Sequence, residues 1–405
     1  RDLLMAETVR QLLALNRPSE AAQAVTDYGR GRRLPGELRF VMLEALFARW
    51  EKALAAGETS LAEQLRRMMQ EHVVQAEREL GGFWAYRCRA LLERGDTTRR
   101  YGPELAGLVR RAETLYAAQR YDEALQTYAE AVRRAEQIRR SDVAAELAFT
   151  QASVLYRLGR FRAAADAFTK IAENHPDTPK VAEAHLLAAY CLGRVYEKQP
   201  TPAHRQAYLD ALSRHLARYA DHPTAAEAAW MMGRLQESLR RFQEALAAYR
   251  SIPRDHPRRD WAEVAVARCH EKRLAELRRR GEDVTGYEAD VLAELARFEN
   301  DRQDSDGPLS LPRAELLVRT ARIELNRSLP DYAQADRLLD RVFDGFARRP
   351  RDASAEAQSV ESAWNNLIDV ARQLRIVSLA GQERLEEAQR LVEDLSRAGD
   401  NEILN

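Results

Sequence analysis

Few residue groups in this 405-residue sequence have the spacing that metal-holding or bond-making chemistry needs. Asp304-Ser305-Asp306-Gly307 opens like an oxygen-rich calcium loop. The carboxylate spacing before it is wrong, however, and no Glu follows the Gly at the distance that closes the coordination sphere. His270-Glu271 begins the His-Glu-x-x-His pair that sets two imidazoles on one helix face for zinc, but Leu274 occupies the second His position. The eight histidines form no His-x3-His pair, and His175, His222 and His256 each precede a proline, reading as turn or inter-repeat packing residues. Cys88, Cys191 and Cys269 stand far apart with no Cys-x-x-Cys spacing, so no disulfide framework or zinc site is legible, and free thiols lean towards a reducing compartment. Glycine-rich phosphate loops, Gly-x-Ser-x-Gly elbows and Cys/His nucleophile arrangements are missing too. The reading is therefore of a chain with no catalytic residue, metal or cofactor, and not an enzyme.

Charge narrows the partner class. Lys+Arg and Asp+Glu both total 63, which removes a bulk electrostatic case for nucleic acid or an acidic membrane. Arg278-Arg279-Arg280 and Arg348-Arg349 are expected at helix ends, where cations offset carbonyl dipoles. No apolar run approaches the ~20 residues of a membrane-spanning helix. The chain opens with Arg1-Asp2-Leu3 rather than Met, so it reads as a mature or trimmed piece, from either a bacterial periplasm or cell envelope or from the cytoplasm.

The pattern that remains is structural. An aromatic-x-x-Ala spacing returns at Tyr121/Ala124, Phe161/Ala164, Tyr208/Ala211, Phe242/Ala245 and Tyr332/Ala335. With 45% hydrophobic residues and few Gly or Pro, the chain is expected to be nearly all helix. Small residues where two helices touch, aromatics in the gaps, Gly159 closing one helix and Pro176 ending the next describe a helical hairpin, seen again through Gly233, Phe242, Ala245, Tyr249 and Pro257. Hairpins repeated in tandem bury their apolar faces on one another. Three unit ends share a turn: Asn174-His175-Pro176-Asp177, Asp221-His222-Pro223-Thr224 and Asp255-His256-Pro257-Arg258. Prolines 200 and 202 predict a protruding loop from an insertion near 197–204.

These residues resemble the tetratricopeptide repeat family, whose consensus is 34 residues. The three turns are similar in texture to members found in bacterial envelope assembly and division. The resemblance implies a right-handed all-α solenoid of about nine to twelve hairpins, with divergent repeats over 1–104, well-formed ones over 105–270 and divergent ones over 271–405, around a polar linker at 300–308. It also implies a concave groove lined by the first helix of each hairpin, here Tyr116, Phe149, Tyr156, Leu186, Tyr190, Trp230 and Arg234. Such a groove holds a protein or peptide partner. The Asn positions of the family's carboxylate clamp correspond to Arg110, Thr150 and Met231, so a chaperone-tail adaptor is not expected. The expected function is a protein–protein interaction scaffold, with a helical-repeat enzyme acting on polysaccharide or peptidoglycan as the alternative; oligomeric state stays open.

Overall fold

The computed structural model describes residues 1–30, 34–80, 82–300, 308–349 and 355–403. The linker expected at 300–308 and the Asp304–Gly307 stretch lie, apart from 300 and 308, outside them. The chain is all-α and forms two compact units, Arg1–Cys191 and Leu192–Asn405. The first holds α1 (Asp2–Ala14), α2 (Pro18–Tyr28), α3 (Gly36–Ala55), α4 (Thr59–Glu79), α5 (Gly82–Tyr101), α6 (Pro103–Ala117), α7 (Tyr121–Gln137), α8 (Ser141–Arg157) and α9 (Phe161–Asn174). The division falls inside α10 (Val181–Lys198). The second unit continues with α11 (Pro202–Arg218), α12 (Thr224–Ser238), α13 (Phe242–Arg250), α14 (Arg259–Arg279), α15 (Thr285–Asn300), α16 (Leu311–Leu325), α17 (Tyr332–Arg348), α18 (Ala355–Gly381) and α19 (Leu385–Ile403). Among the described residues this gives nine hairpins, with α5 left as a single helix packed on α3, α4 and α6.

One cap recurs at most of the hairpin turns. At the α6–α7 turn Gln119 N–H donates to Tyr116 O and Arg120 N–H to Leu115 O, and the same pair recurs as Gly159/Arg160, Arg240/Arg241 and Gly281/Glu282. This is the Schellman arrangement, which satisfies the last carbonyls of a helix by placing one residue in the left-handed region. Glycine takes that position without cost at Gly159 (φ 70°), whereas Gln119 (φ 61°) and Arg240 (φ 59°) adopt it against their side chains.

Turn spacing corrects the repeat length. Gln119 and Gly159 stand 40 residues apart and Arg240 and Gly281 stand 41 apart, longer than the 34-residue consensus, while the turns at Pro223 and Pro257 that flank α12 and the short α13 stand 34 apart. Residues 197–204 accordingly form no protruding loop. Gln199, Pro200 and Thr201 link two long helices, Pro202 sits in the first turn of α11, and Thr201 Oγ1 caps it by accepting from His204 N–H at 3.2 Å. The additional residues extend α10 to 18 and α11 to 17 residues.

Small residues bring helices close. Alanines 124, 131, 144, 164, 245 and 265 are completely buried, and a Cβ built on Gly233 would lie 2.5 Å from the Tyr249 ring. The α12–α13 crossing therefore needs glycine there.

Candidate partner-binding faces

In the N-terminal unit, Tyr116 meets Tyr121 edge-on at 5.4 Å, Phe149 meets Phe168 at 5.3 Å, and Tyr156 lies 5.5 Å from Phe161. Each first-helix aromatic thus leans on the second helix of its own hairpin, which explains the spacing seen in the sequence: the aromatic opening the second helix is the counterpart of one closing the first. All three first-helix rings are half-buried, as is Leu186. Lys180 Nζ sits 5.0 Å above the Phe149 ring. Tyr190 is different. It remains 39% exposed on α10 while its ring packs 5.9 Å from Tyr156.

In the C-terminal unit, half-buried Trp230 packs 5.4 Å from Tyr249 with the Arg258 guanidinium 5.5 Å from its ring, and Arg234 is exposed one turn on. The first-helix side of this unit carries charged residues that the sequence reading passed over. Glu237 of α12 accepts from Arg268 at 2.7 and 2.9 Å and from Lys272 at 2.8 Å, both on α14, and from the Tyr249 hydroxyl at 3.1 Å. Burial alone would push the Glu237 carboxyl up, but the hydrogen bonds from Arg268 and Lys272 outweigh it and hold its pKa down at about 2. Glu271 of α14 then pairs with Arg319 and Arg322 of α16 at 2.5 and 3.6 Å. Its own burial raises its pKa despite the Arg319 and Arg322 charges. The two sets line a cleft of about 430 Å³ in which Arg268, Lys272, Arg278, Arg319 and Arg322 surround Glu271 over a floor of Leu274 and Ile323.

His270, adjacent to Glu271, faces elsewhere. It is buried, with Nδ1 2.6 Å from the Tyr287 hydroxyl and Nε2 3.0 Å from Glu294, which also accepts from Arg250 at 2.6 and 2.7 Å. A histidine between a phenol and a carboxylate resembles a proton relay. Burial pushes Glu294 up, yet the bonds from His270 and Arg250 win and bring it to about 2, so it stays ionised and is a poor proton donor. The array braces α13, α14 and α15 together. Glu288 does similar work, accepting from Arg278 and from the backbone N–H of Ser328. Sequence reading missed these groups because their partners lie ten to forty-eight positions away, and only the 40-residue stacking brings them together.

The histidines before proline are turn residues. His222 Nδ1 accepts the Thr224 N–H at 3.2 Å and lies 2.9 Å from its hydroxyl, while His256 Nδ1 accepts the Arg258 N–H at 3.2 Å. The imidazole thereby supplies the acceptor that a short polar side chain commonly provides at a helix start. His175 Nδ1 meets the Ser141 hydroxyl at 3.2 Å.

Tandem helical hairpins with a shared cap and aromatic–alanine packing define a helical-repeat protein. Residues 104–177 and 227–258 match models of the tetratricopeptide repeat, a repeat that generally serves as a non-catalytic protein-interaction module. Among solved structures, the apo form of RapI aligns at 10% identity over 97% of this chain and 98% of that one, with a TM-score of 0.36. A circular tandem repeat protein with novel repeat topology and enhanced subunit contact surfaces aligns at 15% identity over 98% and 90%, with a TM-score of 0.20. No curated protein matches the chain. Among the described residues, no helix is long and apolar enough to cross a membrane.

Proposed function

We propose that this interaction scaffold holds an extended or helical segment of a partner protein on its first-helix faces, through Tyr116, Phe149, Tyr156, Leu186 and Tyr190 in the N-terminal unit and Trp230 and Arg234 in the C-terminal one. The observation that carries the reading is Tyr190: a large aromatic left 39% exposed, with Tyr156 packed behind it to hold the ring in place. A preorganised exposed aromatic contributes contact area at little entropic cost, as binding anchors do. Tyr116, Phe149, Tyr156 and Trp230 add their outer edges and support. The assignment to bacterial cell-envelope assembly rests on the texture of the His-Pro turns.

A photo-crosslinking benzoylphenylalanine placed at Tyr190, with a second copy at exposed Glu130 on α7 as control, tests it in native extract. The expected result is a discrete adduct from position 190 and none from position 130, with Leu186→Ala on the same helix reducing recovery. Equal labelling from both positions would remove the first-helix faces as the docking surface.

A further inference from the structure

On α12, steps of about 100° per residue place Met232 and Gln236 on the side of the helix away from Trp230 and Arg234. That side opens into a cavity of about 1080 Å³ enclosed by the ends of α11, by α13 and by the two turns Asp221-His222-Pro223 and Asp255-His256-Pro257. Its floor is apolar and low: Leu216, Ala225, Ala226, Met232 and Ala248. Pro253, which lacks the N–H that would continue a helix, lies just beyond α13, which stops after nine residues against 17 in α11. A full-length second helix would fill more of this space.

The charge of the rim is unlike that of the chain. Lys and Arg supply 63 of 405 residues, yet none of the 17 residues lining the cavity is a cation, while Asp221, Glu244 and Asp255 all line it. All three carboxylates are exposed and, among the described residues, none makes an ion pair, in contrast to the paired carboxylates of the first-helix side. Gln236 lines the same cavity, and its amide nitrogen lies 3.7 Å from the Met232 sulfur. An apolar floor and an anionic rim with no Lys or Arg in the lining ask for one kind of guest.

We propose that this trough is a second docking surface, separate from the first-helix faces, whose occupant is a partner-protein segment presenting aliphatic side chains flanked by Lys or Arg. Aliphatic groups cover the alanine floor, and cations meet Asp221, Glu244 and Asp255.

Fluorescence anisotropy on the full chain tests this with two synthetic probes, an 18-residue amphipathic helical peptide of Leu and Lys and its Leu/Glu counterpart. The Leu/Lys peptide is expected to bind and the Leu/Glu peptide not to. The triple variant Asp221→Asn, Glu244→Gln, Asp255→Asn should weaken the Leu/Lys peptide about tenfold, the combined effect of three exposed ion pairs of ordinary strength. Neutralising exposed Glu58, Glu63 and Glu130 in the N-terminal unit should leave it within about twofold. Ala247→Trp, which fills the trough and keeps every charge, should weaken it by a similar factor. Equal binding of the two peptides, equal loss in the two triple variants, or undiminished binding to Ala247→Trp would each overturn the assignment.

Discussion

Replacing Glu237 by Gln isolates the bond set that ties α12 to α13 and α14. The side chain is 8% exposed and takes four hydrogen bonds, from Arg268 twice, Lys272 and Tyr249. A carboxyl whose pKa falls from its ordinary 4.5 to about 2 on folding contributes roughly 3 kcal/mol at neutral pH. Because the folded value is the lower one, that contribution is complete above about pH 4.5 and drains away as pH falls towards 2. By pH 3 about 2 kcal/mol of it is gone. Glu237→Gln is therefore expected to lose about 3 kcal/mol at pH 7 and to show little further loss from this site on acidification. Amide hydrogen exchange followed by mass spectrometry on segments of α12, α13 and α14 is the suitable assay, since it reads local opening in a chain that need not unfold in one step. At pH 7 the variant should exchange roughly 100-fold faster there. Protection factors in α12–α14 equal to those of the parent protein would show that the ion pairs do not stabilise the crossing. A parent whose protection is as insensitive as the variant's between pH 5 and 3 would refute the pKa argument itself.

Gln119→Gly and Arg240→Gly should raise thermal stability by about 0.5–1 kcal/mol, because both residues hold φ near 60° in Schellman turns, and Gly159→Ala at φ 70° should lower it by a similar amount. Calorimetry of the three variants checks the sign. Cys191 and Cys269 are completely buried and burial pushes their thiols up to about 12, while Cys88 is raised by the same cause. At pH 8 a thiol-specific reagent should modify none of them in the folded protein and all three in urea; fast labelling of the native chain would contradict the packing around α10 and α14.

The helical-hairpin architecture was readable because its cause is local. Aromatic-x-x-Ala at the start of a second helix, Gly159 at a cap and proline after His175 act within one or two turns of chain, where side-chain size and backbone freedom set the outcome. The residues chosen for the groove share a helix face, and the structure puts four of them, Tyr116, Phe149, Tyr156 and Trp230, against second-helix aromatics, with Tyr190 and Arg234 more open to solvent. Burial at those positions depends on how far each hairpin closes, which no spacing states. The expected loop near 197–204 was misread for a related reason: prolines 200 and 202 do interrupt the helix, but a proline in the first turn starts one as readily as it ends another, and the longer 40-residue repeat absorbed the residues into α10 and α11.

By itself the amino-acid sequence determined the all-α class, the tandem hairpins and the likeness to tetratricopeptide repeats, since those follow from short-range periodicity. Tertiary structure alone decided which charges pair and which stand uncompensated. Glu237 finds Arg268 and Lys272 more than thirty positions away, Glu271 finds Arg319, and Asp221, Glu244 and Asp255 converge on one trough without a cation. Those distances are set by the stacking of one repeat on the next, and electrostatic energy depends on separation in space and on burial, neither of which a linear order of residues contains.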